Sequence, residues 1–231
     1  CGCLVYEINN RLASKNPKRS LQASGASNGQ TIAGATSTGT HGAGVYAGAV
    51  HDFIVGLHII TDENKHIWLE RASYTVMANK FVDWLDAELV QDDDLFNAAV
   101  VSFDSFGFIH GIMMETAPAF LLEEHRLDGI AYTDALKNAM STMDFTGYPL
   151  PGAGPSKELY HFEVLVNPHK FEINNPNKGV FFKLMYKKPY TNNYPKIPKN
   201  ADFVYGDDLL GLISTVLDAL ATSQNPLCRD W

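Results

Sequence analysis

Asn28-Gly29-Gln30-Thr31-Ile32-Ala33-Gly34-Ala35-Thr36-Ser37-Thr38-Gly39-Thr40-His41-Gly42-Ala43-Gly44 sets five glycines and a run of hydroxyls in seventeen residues, with one histidine and no acidic or basic side chain besides. Such a segment reads as a loop that contributes no core. It lets the backbone come close to a ligand, with N–H groups that no Cβ obstructs and hydroxyls that add hydrogen bonds. Polyanionic cofactors suit a stretch of this kind.

Several motifs overlap this stretch. Gly25-Ala26-Ser27-Asn28-Gly29 fits G-x-S-x-G, a nucleophile elbow that would make the chain a serine hydrolase acting through Ser27. The elbow needs a buried strand before it and a helix after it. Ser20-Leu21-Gln22-Ala23-Ser24 is not an apolar run, and Thr31, Ile32, Thr36 and the glycines up to Gly42 are poor helix formers. Gly42-Ala43-Gly44-Val45-Tyr46-Ala47-Gly48 reads as a loosened dinucleotide fingerprint, but neither the preceding strand nor the following helix is there. No Gly-Lys-Ser/Thr follows, which excludes a P-loop. A glycine-rich surface loop without a ligand is the plain alternative.

The 231 residues suffice for one large domain or two small ones, and 45% hydrophobic with 19% charged residues is ordinary for a globular chain. A net charge of −8 without a basic run argues against a nucleic-acid surface. No apolar stretch approaches the roughly eighteen residues of a membrane span, so no membrane span is expected. A soluble chain is expected, with the compartment open and the cytoplasm slightly favoured. Three cysteines, two of them Cys1 and Cys3, make no disulfide framework. The eight histidines show no metal-ligand spacing, so no metal is expected.

Along the chain, Leu4 to Leu12 reads as a short helix. Strands are expected over 52–61 and 66–70 around the turn Asp62-Glu63-Asn64-Lys65. Phe81, Trp84, Leu85 and Leu89 predict an amphipathic helix over 78–90, and Asp92-Asp93-Asp94 predicts an N-cap for a helix through Val100. A strand over 107–116 closes the first part. Beyond it come a helix over 132–143, strands over 160–167 and 180–186, and a helix over 207–222 with an apolar stripe from Leu209 to Leu220. The division is set near residue 120.

Strand alternation puts His161 and Glu163 on one face, and Lys183, Met185 and Lys187 on one face of the following strand. If these strands pair, His161, Glu163 and Lys183 gather as an acid–base set. A solvated polar sheet face is the alternative.

Gln30 to Gly42 resembles the flavin-contacting loop of the vanillyl-alcohol oxidase / PCMH-type FAD-binding family, nearest in look to its sugar-lactone and alditol oxidases. Ala98 to Ile112, with its Ser105-Phe106-Gly107-Phe108-Ile109 core, is similar to the closing strand of that family's FAD domain, and the strand from Asp52 to Ile60 between the two blocks also fits. The resemblance covers roughly residues 1–120 and implies an α+β fold. Residues 1–120 would be a second FAD-binding subdomain, a mostly antiparallel sheet with flanking helices, and 121–231 part of a sheet-plus-helix substrate domain. The family's first FAD subdomain, with its pyrophosphate loop and covalent attachment point, is not in the sequence. The chain therefore reads as a piece of a longer flavoprotein, or as a non-catalytic remnant.

The resemblance implies FAD as cofactor, with Thr31, Gly34, Ser37, Thr38, Gly39, Thr40, His41 and Gly42 along the pyrophosphate and the ring, and Ile109 as a backbone contact to the adenine end. His41 is either a donor near the flavin or a brace for the loop. The implied reaction is oxidation of a CH–OH group of a polyol, sugar lactone or other alcohol, with O2 or another molecule as electron acceptor. Related sugar and polyol oxidases often carry an acid and an arginine two apart on a substrate-domain strand. His161-Phe162-Glu163 does not match that pattern, so the acid–base set rests on strand geometry alone.

Overall fold

A computed structural model describes residues 2–25 and 27–194. The helix expected at 207–222 lies outside the described residues. The described part divides into two compact units, one of residues 2–42 and 48–117, the other of Ala43–Ala47 and Pro118–Asn193.

The first unit carries a four-stranded sheet. Strands β1 (Ile54–Asp62) and β2 (Lys65–Glu70) form the antiparallel hairpin that Asp62-Glu63-Asn64-Lys65 announces. β3 (Glu88–Gln91) lies parallel to β2, and β4 (Phe108–Met114) antiparallel to β1, giving the order β3-β2-β1-β4. Ile54, Leu57 and Ile59 of β1 and Leu69 of β2 are almost fully buried against Phe96, Ala99 and Val100 of helix α4 (Asp93–Val100). Each such side chain removed from water contributes about 1.5–3 kcal/mol, so this face anchors the unit. Asp92 caps α4, its carboxylate accepting from the Leu95 N–H at 2.8 Å. Helix α1 (Val5–Ala13) and helix α2 (Ile32–Ser37) contribute Val5 and Ile32 to a smaller cluster with Leu21 and Val50.

Two expectations fail here. The glycine-rich stretch is not all loop: Ile32–Ser37 is helical, with Ile32, Ala35, Thr36 and Ser37 buried. Its Thr31 hydroxyl accepts from the Gly34 N–H at 3.1 Å, and this cap together with the buried face outweighs the low helix propensity of Gly34 and Thr36. The helix expected over 78–90 stops early. Helix α3 is only Asn79–Leu85, and Asp86 turns left-handed at φ 53°. Residues 88–91 leave the helical pattern because pairing with β2 satisfies their backbone groups.

The second unit is a three-stranded antiparallel sheet, β5 (Phe120–Ile130), β6 (Glu158–Val166) and β7 (Val180–Pro189), with β7 in the middle. Phe182, Leu184 and Tyr186 of β7 pack with Leu136 of helix α5 (Asp134–Thr142), and all four are at most 2% exposed. Strand β5 is not evident in the sequence. Its run Glu123-Glu124-His125-Arg126 places charge on both faces, and on the inner face Glu123 is satisfied by Lys157, Lys188 and His125. The segment Ala43–Ala47 runs beside β6, with a bridge between Gly44 and His161 and the Val45 N–H donating to the Tyr160 carbonyl at 2.6 Å. A Cβ on Gly44 would stand 2.8 Å from the Ala47 Cβ, so only glycine permits this approach.

Candidate functional site

In the first unit, Thr31, Ala33 and Gly34 of the glycine-rich stretch face Gly107, Phe108 and Ile109 across a cleft of about 530 Å³ that Gly2 and Asp104 also line. Three of the residues expected to touch a cofactor, Thr31, Gly34 and Ile109, line this one cleft, although Ile109 comes from a separate stretch. The turn before β4 is under strain: Phe103 and Asp104 take φ of 46° and 61°, and Gly107 takes 120°. The Phe103 N–H donates to the Ser37 carbonyl at 3.0 Å, which ties this turn to α2.

The other expected cofactor residues lie outside the lining. Thr38 ends α2 and donates its hydroxyl to the Gly34 carbonyl at 2.9 Å, and Gly39 follows with φ 69°. The Thr40 N–H donates to the Ala35 carbonyl at 2.8 Å and its own carbonyl accepts from Val50. His41 is exposed, with Nδ1 2.9 Å from the carbonyl of Gly42. The hydroxyls of Thr36 and Ser37 are buried and find no partner among the described residues, unmet polar capacity that is rare in folded proteins. Gly107, Phe108 and Asp104 belong to the block that resembles the closing strand of the FAD domain, but the sequence reading assigns a cofactor contact there to Ile109 alone. The available signal was Gly107, a glycine standing directly before a strand, where a left-handed backbone opens the turn.

Ser27 stands in an irregular segment and its Oγ accepts from the Gly29 N–H at 3.2 Å. Among the described residues no strand ends at Gly25 and the next helix starts only at Ile32, so the strand–turn–helix of a nucleophile elbow is not formed.

The second unit carries a polar sheet face. Glu163 is paired in register with Lys183, and His161 with Met185. His161 Nε2 lies 3.0 Å from Glu163 Oε2, and Lys183 Nζ 3.7 Å from the same oxygen. His161 Nδ1 lies 2.8 Å from the carbonyl of Ala43. The three residues expected as an acid–base set therefore come together, with His161 largely buried and Glu163 38% exposed on its side chain. A bulge between Leu159 and His161 displaces Tyr160, whose hydroxyl is pushed above its usual range by burial.

Strand β5 adds residues that the sequence reading passed over. Arg126 is opposite Lys183 and Glu124 opposite Met185, so Arg126, Lys183 and Glu163 make one cross-strand row. Glu124 and Arg126 pair with each other. Glu124 and Arg126, two apart, share that face. They do not stand out in the sequence because 120–130 lacks the alternation that marks a strand.

Among the described residues no cluster of His, Cys, Asp or Glu is arranged to hold a metal ion, and no helix is long and apolar enough to cross a membrane. No protein-family model matches the chain. It is 28% identical over 137 residues to a D-arabinono-1,4-lactone oxidase of Debaryomyces hansenii, a match covering 59% of this chain and 21% of that protein. The D-arabinono-1,4-lactone oxidase of Saccharomyces cerevisiae is 27% identical over 136 residues, covering 59% and 22%, and that of Candida glabrata 28% over 119 residues, covering 52% and 19%. The chain spans about a fifth of the length of these relatives. Over more than half of its own length, it is similar to proteins named as sugar-lactone oxidases.

Proposed function

We propose that the chain is part of an FAD-dependent oxidoreductase that oxidises a CH–OH group of a sugar lactone or related polyol. The observation that carries this reading is the meeting of Thr31, Gly34 and Ile109 in one cleft, taken with the similarity to lactone oxidases. At about 530 Å³ the cleft is within the range of small-molecule sites. Its lining suits the adenosine end of the cofactor. Ala33 and Phe108 offer apolar surface to a base, Gly34, Gly107 and the Ile109 backbone line the cleft beside them, and Asp104 is an acceptor for ribose hydroxyls. Among the described lining residues there is no lysine or arginine, so a pyrophosphate would depend on other groups.

Bound FAD supplies a two-electron acceptor for the hydride of the carbinol carbon. The chain's own contribution to the chemistry lies on the polar sheet face. Glu163 Oε2 is held by His161 and Lys183, which leaves Oε1 to accept the hydroxyl proton. Lys183 lies beside that carboxylate, and Arg126 stands on the far side of Lys183 in the same row, so both face the side from which substrate oxygens would approach.

The test is the visible absorbance spectrum of the protein after mixing with excess FAD and desalting. A retained band with shifted vibrational structure, bleached anaerobically by aldonolactones or polyols, is expected. A protein that stays colourless, in this chain and in its longest natural form, would overturn the reading.

A further inference from the structure

Strand β7 alternates sharply at its start. Val180 and Phe182 are 0% and 1% exposed in the core of the second unit, whereas Phe181 between them is 46% exposed on the outer face. Strand β5 is irregular at the same level. Its pairing with β7 passes from Leu127–Phe182 directly to Ile130–Val180, so Asp128 and Gly129 together stand against Phe181. Gly129 takes φ 66°, a conformation that a side chain would strain. A Cβ on Gly179 would collide with the Ile130 carbonyl, so only glycine lets the 3-10 turn Pro176–Lys178 close on the end of β5. These irregularities leave a cleft of about 310 Å³, which Asn167 and Lys170 complete from the segment after β6. Its size is at the lower end of small-molecule sites and suits a single ring.

The hydrogen-bonding capacity of this cleft lies on side chains. In the turn, the N–H groups of Asn177, Lys178 and Gly179 already donate to Asn175 Oδ1, the Asn175 carbonyl and the Pro176 carbonyl. The turn therefore offers no row of N–H groups to cradle an anion. Lys178 is paired with Glu172, which also accepts from Asn175 Nδ2. What remains is the Asp128 carboxylate, the Lys170 ammonium, the Asn177 amide and Asn167 Nδ2, none with a partner among the described residues. Asn167 Oδ1 accepts from the His169 N–H at 3.0 Å, which fixes that amide and turns its donors elsewhere. One negative group, one positive group and two amides carry no net charge.

An exposed aromatic ring beside a neutral, mixed set of donors and acceptors matches the chemistry of a pyranose. The axial C–H groups of such a ring form an apolar face that packs on an aromatic side chain. Its vicinal hydroxyls each donate and accept, so carboxylate, amide and ammonium groups can all pair with them. A phosphorylated ligand brings a charge that the lining does not balance, and an apolar one leaves the four polar groups unpaired.

We propose that this cleft binds a neutral pyranose sugar, stacked on Phe181, with its hydroxyls held by Asp128, Asn167 and Lys170. The cleft shares no lining residue with the one proposed for the cofactor, nor with the row of Arg126, Lys183 and Glu163, so the proposal stands independently of the flavin reading.

The experiment is saturation-transfer NMR on the full chain, without FAD, with methyl β-D-glucopyranoside as the probe. Binding in the millimolar range is expected, with saturation strongest on the axial protons of one ring face, because that face lies on Phe181. Phe181→Ala and Asp128→Ala, both at exposed positions, should each weaken binding at least about fivefold, the loss of roughly 1 kcal/mol. Circular dichroism checks the fold of each variant, and Asp128→Ala with the proton pattern decides the matter should Phe181→Ala unfold. Glu163→Gln should leave the affinity for this probe unchanged, which separates the cleft from the proposed acid–base row. Methyl β-D-glucuronide, the same ring with a carboxylate, is expected to bind no more tightly at low or high salt. Absence of saturation transfer, affinity unchanged in either folded variant, an equal loss in Glu163→Gln, or tighter glucuronide binding that salt abolishes would each overturn the proposal.

Discussion

The imidazole of His161 is held between Ala43, 118 positions earlier in the chain, and Glu163, two positions later. A backbone carbonyl and a carboxylate both accept, so satisfying the two contacts takes an N–H on each side of the ring or a proton shared between Nε2 and Oε2. In the proposed reaction His161 orients Glu163, and the open oxygen of Glu163 is the group proposed to accept the proton.

Glu163→Gln is therefore expected to lower the rate of substrate-driven flavin bleaching by about 10²–10⁴-fold while the bound flavin spectrum is unchanged. Lys183→Ala should act more on KM than on kcat. Stopped-flow absorbance separates the two, and full activity in Glu163→Gln would remove the carboxylate from the chemistry.

Thr31 caps α2 and also lines the cleft proposed to hold the cofactor. Thr31→Ala should cost about 1 kcal/mol in urea unfolding and loosen FAD retention, and Thr31→Ser should recover most of both. Loss of FAD retention without loss of stability would show that the hydroxyl serves the ligand more than the helix.

Glu70 is fully buried and its carboxylate accepts from Trp68 Nε1, the Val76 and Met77 N–H groups and Gln91 Nε2 at 2.8–3.2 Å. Glu70→Ala strands those donors and opens a cavity. A loss of at least about 3 kcal/mol is expected from denaturant unfolding, because each hydrogen bond to a charged group contributes about 1.5–3 kcal/mol. A loss under about 1 kcal/mol would show that water replaces the carboxylate.

Glu123 receives Lys157, Lys188 and His125, and these hydrogen bonds pull its carboxyl from the usual 4.5 down to about 2. A depressed carboxyl stabilises the fold above its unfolded value. That contribution is present above about pH 4.5 and fades as pH falls toward about 2. Thermal unfolding followed between pH 5 and 2.5 should show a steeper loss in the wild type than in Glu123→Gln. The difference should shrink in high salt, since the group is partly exposed.

Much of the local structure follows from short-range chemistry. The hairpin at 62–65, the Asp92 cap, helix α5 and the alternation that aligns His161 with Glu163 are each visible in the order of residues, because periodicity and capping act within one or two turns. Strand β5 was not visible, since its inner-face Glu123 is accommodated by Lys157 and Lys188, which come from distant parts of the chain. Nor was strand β3, which leaves a helical pattern to pair with β2. The glycine-rich stretch was recognisable as a place of close approach, yet the burial of Ile32 and Ala35 that makes part of it a helix depends on residues distant in sequence. The sequence by itself determined on which face of their strands His161, Glu163 and Lys183 stand. Only the tertiary structure decided that Thr31 faces Ile109, that Arg126 joins Lys183 and Glu163, and that the Ala43 carbonyl reaches His161. Those contacts depend on strand register and chain return, which no local pattern encodes.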